Sequence, residues 1–140
     1  MKEVNVIYWS STGNTQAMAE AVGAGVEEAG GKANVMEVSA ADVSMLKDAD
    51  SFALGASAMG DEELDAEMDD FVTAVEGICS GKTVGLFGSY DWGDGEWMRS
   101  WEKNCDDAGV SLACDSIICQ EAPDDDTLAS CRAMGKTLAE

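Results

Sequence analysis

A chain of 140 residues, 46% of them hydrophobic, is long enough for one domain with its own core and too apolar to be disordered. A net charge of −20 with no His excludes nucleic acid and anionic membranes as partners, and removes the usual general base of Ser or Cys catalysis. No apolar run reaches membrane-spanning length and no secretory leader is visible, so a cytoplasmic monomer with a single domain over residues 1–140 is expected.

Strand and helix then alternate five times. Glu3–Trp9 reads as a buried strand. Asn14–Ala29 reads as a helix, with Met18, Ala21, Val22, Gly25, Val26 and Ala29 on one face. Gly23 and Gly25 cost that helix about 1 kcal/mol each against Ala, so close packing on a sheet is expected there. Ala33–Val38 is a second strand, Asp42–Asp48 a short polar segment, and Ser51–Gly55 a third strand. The acidic run GDEELDAEMDD leads into a helix with Leu64, Met68, Phe71, Val72 and Val75 at helical spacing. Lys82–Gly88 is a fourth strand. Glu96–Ala108 is a helix that turns Trp97, Trp101, Cys105 and Ala108 inward. Ser111–Gln120 reads as an uninterrupted fifth strand, and Pro123 opens the helix Asp124–Ala139 with acids in its first turn.

This alternation predicts an α/β fold with a parallel sheet covered by helices on both faces. Ligands in such folds bind beyond the carboxyl ends of the strands, so the loops there carry the function. After strand one comes Ser10-Ser11-Thr12-Gly13-Asn14-Thr15, a run of hydroxyls around a glycine at a helix start. Backbone N–H groups, hydroxyls and the helix dipole can together hold a phosphate without a counter-ion. One Ser or Thr would suffice as an ordinary cap. After strand three comes Ala56-Ser57-Ala58-Met59-Gly60-Asp61-Glu62, and after strand four Ser89-Tyr90-Asp91-Trp92-Gly93. Met59 and Trp92, each beside glycine, could enclose a flat aromatic ligand.

Several other features carry no function. SGKT at 80–83 lacks the earlier glycine of a P-loop and precedes a strand instead of following one. GAGVEE at 23–28 lies inside a helix and lacks the third glycine of a dinucleotide fingerprint. Five Cys (79, 105, 114, 119 and 131) show no C-x-x-C pair. Cys114 and Cys119, five apart on one strand, are expected on opposite faces. The reading is reduced thiols and no metal site.

The motifs WSSTGNT, SAMGDE and GSYDWGDGEW, in order and at matching spacing over essentially the whole chain, resemble the short-chain, clostridial-type flavodoxins. The resemblance implies a three-layer sandwich with a five-stranded parallel sheet of order 2-1-3-4-5. It implies one bound FMN and a role as a low-potential one-electron carrier with a stabilised neutral semiquinone, not an enzyme. A flavin-dependent quinone reductase on the same fold would need a longer loop or a dimer contact for its substrate. Carried across, Ser10 to Thr15 with Ser57 would hold the phosphate, and Met59 and Trp92 would flank the ring. Glu62 would accept from N3–H, and the Gly60-Asp61 peptide would turn with redox state. Backbone groups of Tyr90, Asp91 and Trp92 would meet the pyrimidine edge, and Gln120 would come near. Ala56, Ala58, Ser89 and Gly93 complete these loops. Ser11 and Asp91 stand where the family commonly has glycine. The acidic surface then implies redox partners with basic docking surfaces, solubility being the other use of the charge.

Overall fold

In the computed structural model, which describes residues 3–10, 13–47, 49–57, 66–78, 80–90, 95–114 and 116–139, the alternation closes into one parallel sheet. Strands β1 (Glu3–Trp9), β2 (Lys32–Glu37), β3 (Ser51–Ala56) and β4 (Thr83–Tyr90) lie in the order β2-β1-β3-β4. Strands β5 (Ser111–Leu112) and β6 (Ile117–Gln120) both run along the outer side of β4. The order is therefore the expected 2-1-3-4-5, with the fifth position split. Helices α1 (Asn14–Glu28), α2 (Ala66–Glu76), α3 (Glu96–Asp107) and α4 (Asp125–Ala139) cover the sheet, and two 3₁₀ turns, Val38–Ala40 and Val43–Leu46, occupy the polar segment before β3.

Strand alternation sorts the core into two layers. Val4, Val6 and Tyr8 of β1 face α1 and α4 with Ala53 and Phe87, while Ile7 faces α2 and α3 with Phe52, Leu54, Val84 and Leu86. All six residues of β3 are buried, as a strand covered on both faces requires. Trp97, Trp101 and Cys105 point inward as expected, and so do Met68, Phe71, Val72 and Val75 of α2. Leu64 lies outside the described residues.

Four expectations need correction. Ala29 is exposed, because α1 has ended and Ala29 caps it. Gly23 packs on the sheet, where a Cβ would sit 2.7 Å from Val35 Cγ2, but Gly25 does not: a Cβ there would overlap the Arg132 carbonyl of α4. Gly135 returns the contact against the Val22 carbonyl, so α1 and α4 meet backbone to backbone. The fifth strand is interrupted. β4 advances three residues from Val84 to Phe87 while its partner advances five, from Leu112 to Ile117, so two extra residues bulge from the sheet edge. Cys114 and Cys119 therefore do not share one strand, and both lie near enough to Cys131 of α4 to oppose its ionisation. The Lys of SGKT has a structural task, since Lys82 Nζ donates to the Lys47 carbonyl at 2.9 Å and the Ala49 carbonyl at 2.5 Å.

Candidate functional site

Parallel pairing brings the carboxyl ends of the strands to one edge. Trp9 lies beside Ala56 and Tyr90 beside Gln120, and the Ser57 N–H donates to the Trp9 carbonyl at 3.1 Å. Of the site residues anticipated from sequence, Ser10, Gly13, Asn14, Thr15, Ala56, Ser57, Ser89, Tyr90 and Gln120 stand at this edge. Ser11, Thr12, Ala58, Met59, Gly60, Asp61, Glu62, Asp91, Trp92 and Gly93 lie outside the described residues.

The first loop turns on Gly13, whose φ of 92° is left-handed backbone that glycine adopts without steric cost. Its N–H donates to Ser10 Oγ at 2.9 Å. The first turn of α1 closes with the Ala17 N–H on the Gly13 carbonyl, and no side chain caps the helix. The N–H groups of Asn14, Thr15 and Gln16 therefore have no intrahelical acceptor. They carry the positive end of the helix dipole, equivalent to about half a charge. The first turn of α1 holds no acid, whereas α2, α3 and α4 all hold at least one there.

Beneath this turn, Thr15 Oγ1 and Ser57 Oγ are 2.8 Å apart and buried, at 0% and 5% exposure. Two hydroxyls carry two protons. One is used between them, so the pair keeps one O–H donor for a third group. Uncapped N–H groups, a hydroxyl pair and a first turn of α1 without an acid make a cradle fitted to an oxyanion such as a phosphate ester.

The other side of the edge is built differently. Ser89, 4% exposed, donates its hydroxyl to the Glu121 carbonyl at 2.6 Å. The Glu121 N–H donates to the Tyr90 carbonyl at 2.7 Å, and Glu121 has a φ of 62°. The Tyr90 ring packs on Trp97 with centroids 5.4 Å apart at a tilt of 53°. Burial pushes the Cys119 thiol up, and its Sγ sits 3.7 Å from Met18 Sδ. Sequence reasoning missed Glu121. A left-handed backbone is usually announced by Gly or Asn, and Gln120-Glu121-Ala122 offers neither.

Two hollows flank the edge. One of about 160 Å³ lies beside Ser10, lined by Trp9, Val38 and Ser39 with the carboxylates of Glu37 and Glu67. An open groove of about 600 Å³ runs between β6 and α4 over Ile117, Ile118 and Met134, with Asp124 and Asp126 on its rim. Size favours the groove, but the helix N-terminus at Gly13 offers free N–H donors to an anion and the groove's rim offers carboxylates. Among the described residues, no group of three His, Cys, Asp or Glu side chains could hold a metal ion. No helix among them is long and apolar enough to cross a membrane.

Three comparisons bear on this arrangement. The Flavodoxin family model matches residues 6–135. The chain is 40% identical over 137 residues to the flavodoxin of Clostridium beijerinckii, covering 97% of this chain and 99% of that protein. It is 38% identical over 138 residues to the flavodoxin of Megasphaera elsdenii, covering 98% of each. The fold superposes on the solution structure of two-electron reduced Megasphaera elsdenii flavodoxin with a TM-score of 0.88, at 39% identity and over 97% and 98% of the two chains.

Proposed function

The chain belongs to the flavodoxin family of FMN-containing electron-transfer proteins, and from that premise we propose that it carries single electrons at low potential through a stabilised neutral semiquinone. The observation that supports the site is the cradle: an uncapped, acid-free α1 N-terminus over the buried Thr15–Ser57 pair. In this reading Ser10, Ser11, Thr12, Gly13, Asn14 and Thr15 hold the FMN phosphate together with Ser57. Bound FMN supplies reversible one-electron chemistry, and the chain holds it, orients it and screens it from water. Met59 and Trp92 enclose the ring and Glu62 takes N3–H. The Gly60-Asp61 peptide supplies a backbone group towards N5. Backbone at Tyr90, Asp91 and Trp92 meets the pyrimidine edge, with Ala56, Ala58, Ser89 and Gly93 shaping the loops.

The same reading makes residues 1–140 one domain, acting as a cytoplasmic monomer on partners with basic docking surfaces. The charge of −20 supports the choice of partner, because complementary fields accelerate encounter.

The experiment is a visible spectrum of the FMN-loaded protein during stepwise reduction. Flavin bands followed by a blue one-electron stage are expected. A preparation that stays colourless with added FMN, or that passes from oxidised to fully reduced in one step, would overturn the proposal.

A further inference from the structure

Glu121 is the one non-glycine residue with positive φ among the described residues, at 62°. Such backbone is uncommon outside Gly and Asn, and it persists only where the surroundings enforce it. Here three contacts enforce it. The Glu121 N–H donates to the Tyr90 carbonyl at 2.7 Å, Ser89 Oγ donates to the Glu121 carbonyl at 2.6 Å, and the Cys119 thiol reaches that carbonyl at 3.6 Å. The Glu121 side chain is in an exposed residue, so its neighbours read the backbone and not the carboxylate.

The groups that Glu121 grips are the last two residues of β4. Ser89 and Tyr90 pair with Cys119 and Gln120 in the sheet, and Asp91-Trp92-Gly93 follows Tyr90 directly in sequence. Ser89 is buried, and without the Glu121 carbonyl its hydroxyl would lose its acceptor. Tyr90 is braced on its other side by Trp97. No residue intervenes to absorb an error between Tyr90 and the loop assigned to the flavin.

We propose that Glu121 is a positioning residue for the flavin: its left-handed backbone locks the end of β6 onto the end of β4 and thereby fixes the backbone of Ser89 and Tyr90, from which the loop assigned to the flavin begins in sequence. The proposal rests on the FMN reading above, but it goes beyond it by assigning the anchoring of Ser89 and Tyr90 to a residue just past the end of β6. The side chain is dispensable for this task and the φ is not.

Glu121→Val and Glu121→Gly test it, since both remove the carboxylate and only valine opposes φ > 0. FMN release from the loaded protein, followed by flavin fluorescence on dilution, gives affinity. Spectroelectrochemistry gives the two one-electron potentials. Glu121→Gly should hold FMN within about twofold of wild type. Glu121→Val should hold it roughly tenfold more loosely, the lower part of the range that 1–3 kcal/mol of backbone strain allows. It should also move at least one potential. A tenfold difference between two oxidation states corresponds to 59 mV. A merely structural role would lower the melting temperature at saturating FMN and leave affinity and potentials in place.

Ser89→Ala keeps the backbone and removes one grip, so it decides the matter if Glu121→Val fails to fold. About fivefold looser FMN is expected, from loss of one buried hydrogen bond worth about 1 kcal/mol. Equal affinity and equal potentials in Glu121→Val and Glu121→Gly, or a Ser89→Ala variant indistinguishable from wild type, would overturn this proposal alone. Failure of the wild-type chain to take up FMN would overturn the FMN reading and this inference with it.

Discussion

The buried Thr15–Ser57 pair separates what the site contributes to folding from what it contributes to binding. Thr15→Val replaces a hydroxyl with a methyl of nearly the same size and leaves Ser57 Oγ buried without its 2.8 Å partner. An unsatisfied buried hydroxyl costs about 1–3 kcal/mol, and Ser57→Ala should cost a similar amount from the other side. Removing both hydroxyls leaves nothing unsatisfied, so the double variant should regain most of that loss. FMN affinity should behave differently. The spare O–H donor of the pair is lost in the double variant, and a hydrogen bond to a charged group is worth about 1.5–3 kcal/mol. FMN should then dissociate roughly 10–150-fold more readily. Urea unfolding of the flavin-free variants and FMN titration of the same preparations give the two cycles. A double variant that regains stability and also binds FMN like wild type would show that the hydroxyls serve the core alone.

Other predictions follow from contacts elsewhere. Gly25→Ala and Gly135→Ala each place a Cβ against backbone of the facing helix, so each should destabilise by about 1–3 kcal/mol and lower the melting temperature without changing flavin potentials. Asp124 accepts from the Thr127 N–H at 2.8 Å and from Thr127 Oγ1 at 2.7 Å, which holds its carboxyl below the ordinary carboxylate range. A depressed folded pKa means stability that is present above about pH 4 and lost as pH falls through the folded value. Asp124→Ala should therefore flatten the acid limb of a melting-temperature profile. Burial pushes the Cys131 thiol up to about 12 from an ordinary value of 9.0. Stability is then fully present below pH 9.0 and declines as pH rises towards about 12, by at most about 1.4 kcal/mol per pH unit, a decline that Cys131→Ala should lessen.

The parts of the fold that were legible in the sequence are those fixed by local rules. Period-2 and period-3.6 patterns placed β1, α1, β3 and α4 to within a residue or two, and parallel crossovers then dictated the sheet. The bulge between Leu112 and Ile117 was not legible. Its residues include Ala113, Cys114 and Ser116, with no Gly or Pro, and the extra length exists only relative to β4. The partner of Gly25 was hidden for the same reason: a glycine shows that something comes close, not whether it is sheet or helix. The cradle was legible as a cluster of hydroxyls, but the pairing of Thr15 with Ser57 spans 42 residues and needs the register of β1 on β3. The bond from Ser89 to the Glu121 carbonyl was hidden in the same way, since it joins residues 32 apart.

A chain of net charge −20 that is to bind a phosphate faces an electrostatic problem, which the proposed cradle at α1 would meet without a counter-ion. A phosphate monoester carries about −1.5 to −2 charges at pH 7. A carboxylate ~4 Å away would repel it by about 1 kcal/mol per unit charge even in water, hence up to about 2 kcal/mol. That equals the most a helix N-terminus is ordinarily worth to an anion, about 2 kcal/mol in a partly buried site. A single acid in the first turn would therefore cancel the attraction on which a cradle without Lys or Arg depends. Gln16, exposed in that turn, tests this. Gln16→Glu places a carboxylate where the helix itself favours one, so the flavin-free protein should become slightly more stable, by about 0.3–1 kcal/mol. The same carboxylate should weaken FMN binding by roughly tenfold, the loss expected from about 1.4 kcal/mol of added repulsion, and the loss should shrink as salt is raised. Stability and affinity thus move in opposite directions on one substitution. If both rose together, or if affinity were indifferent to the new charge, the phosphate could not lie at the N-terminus of α1.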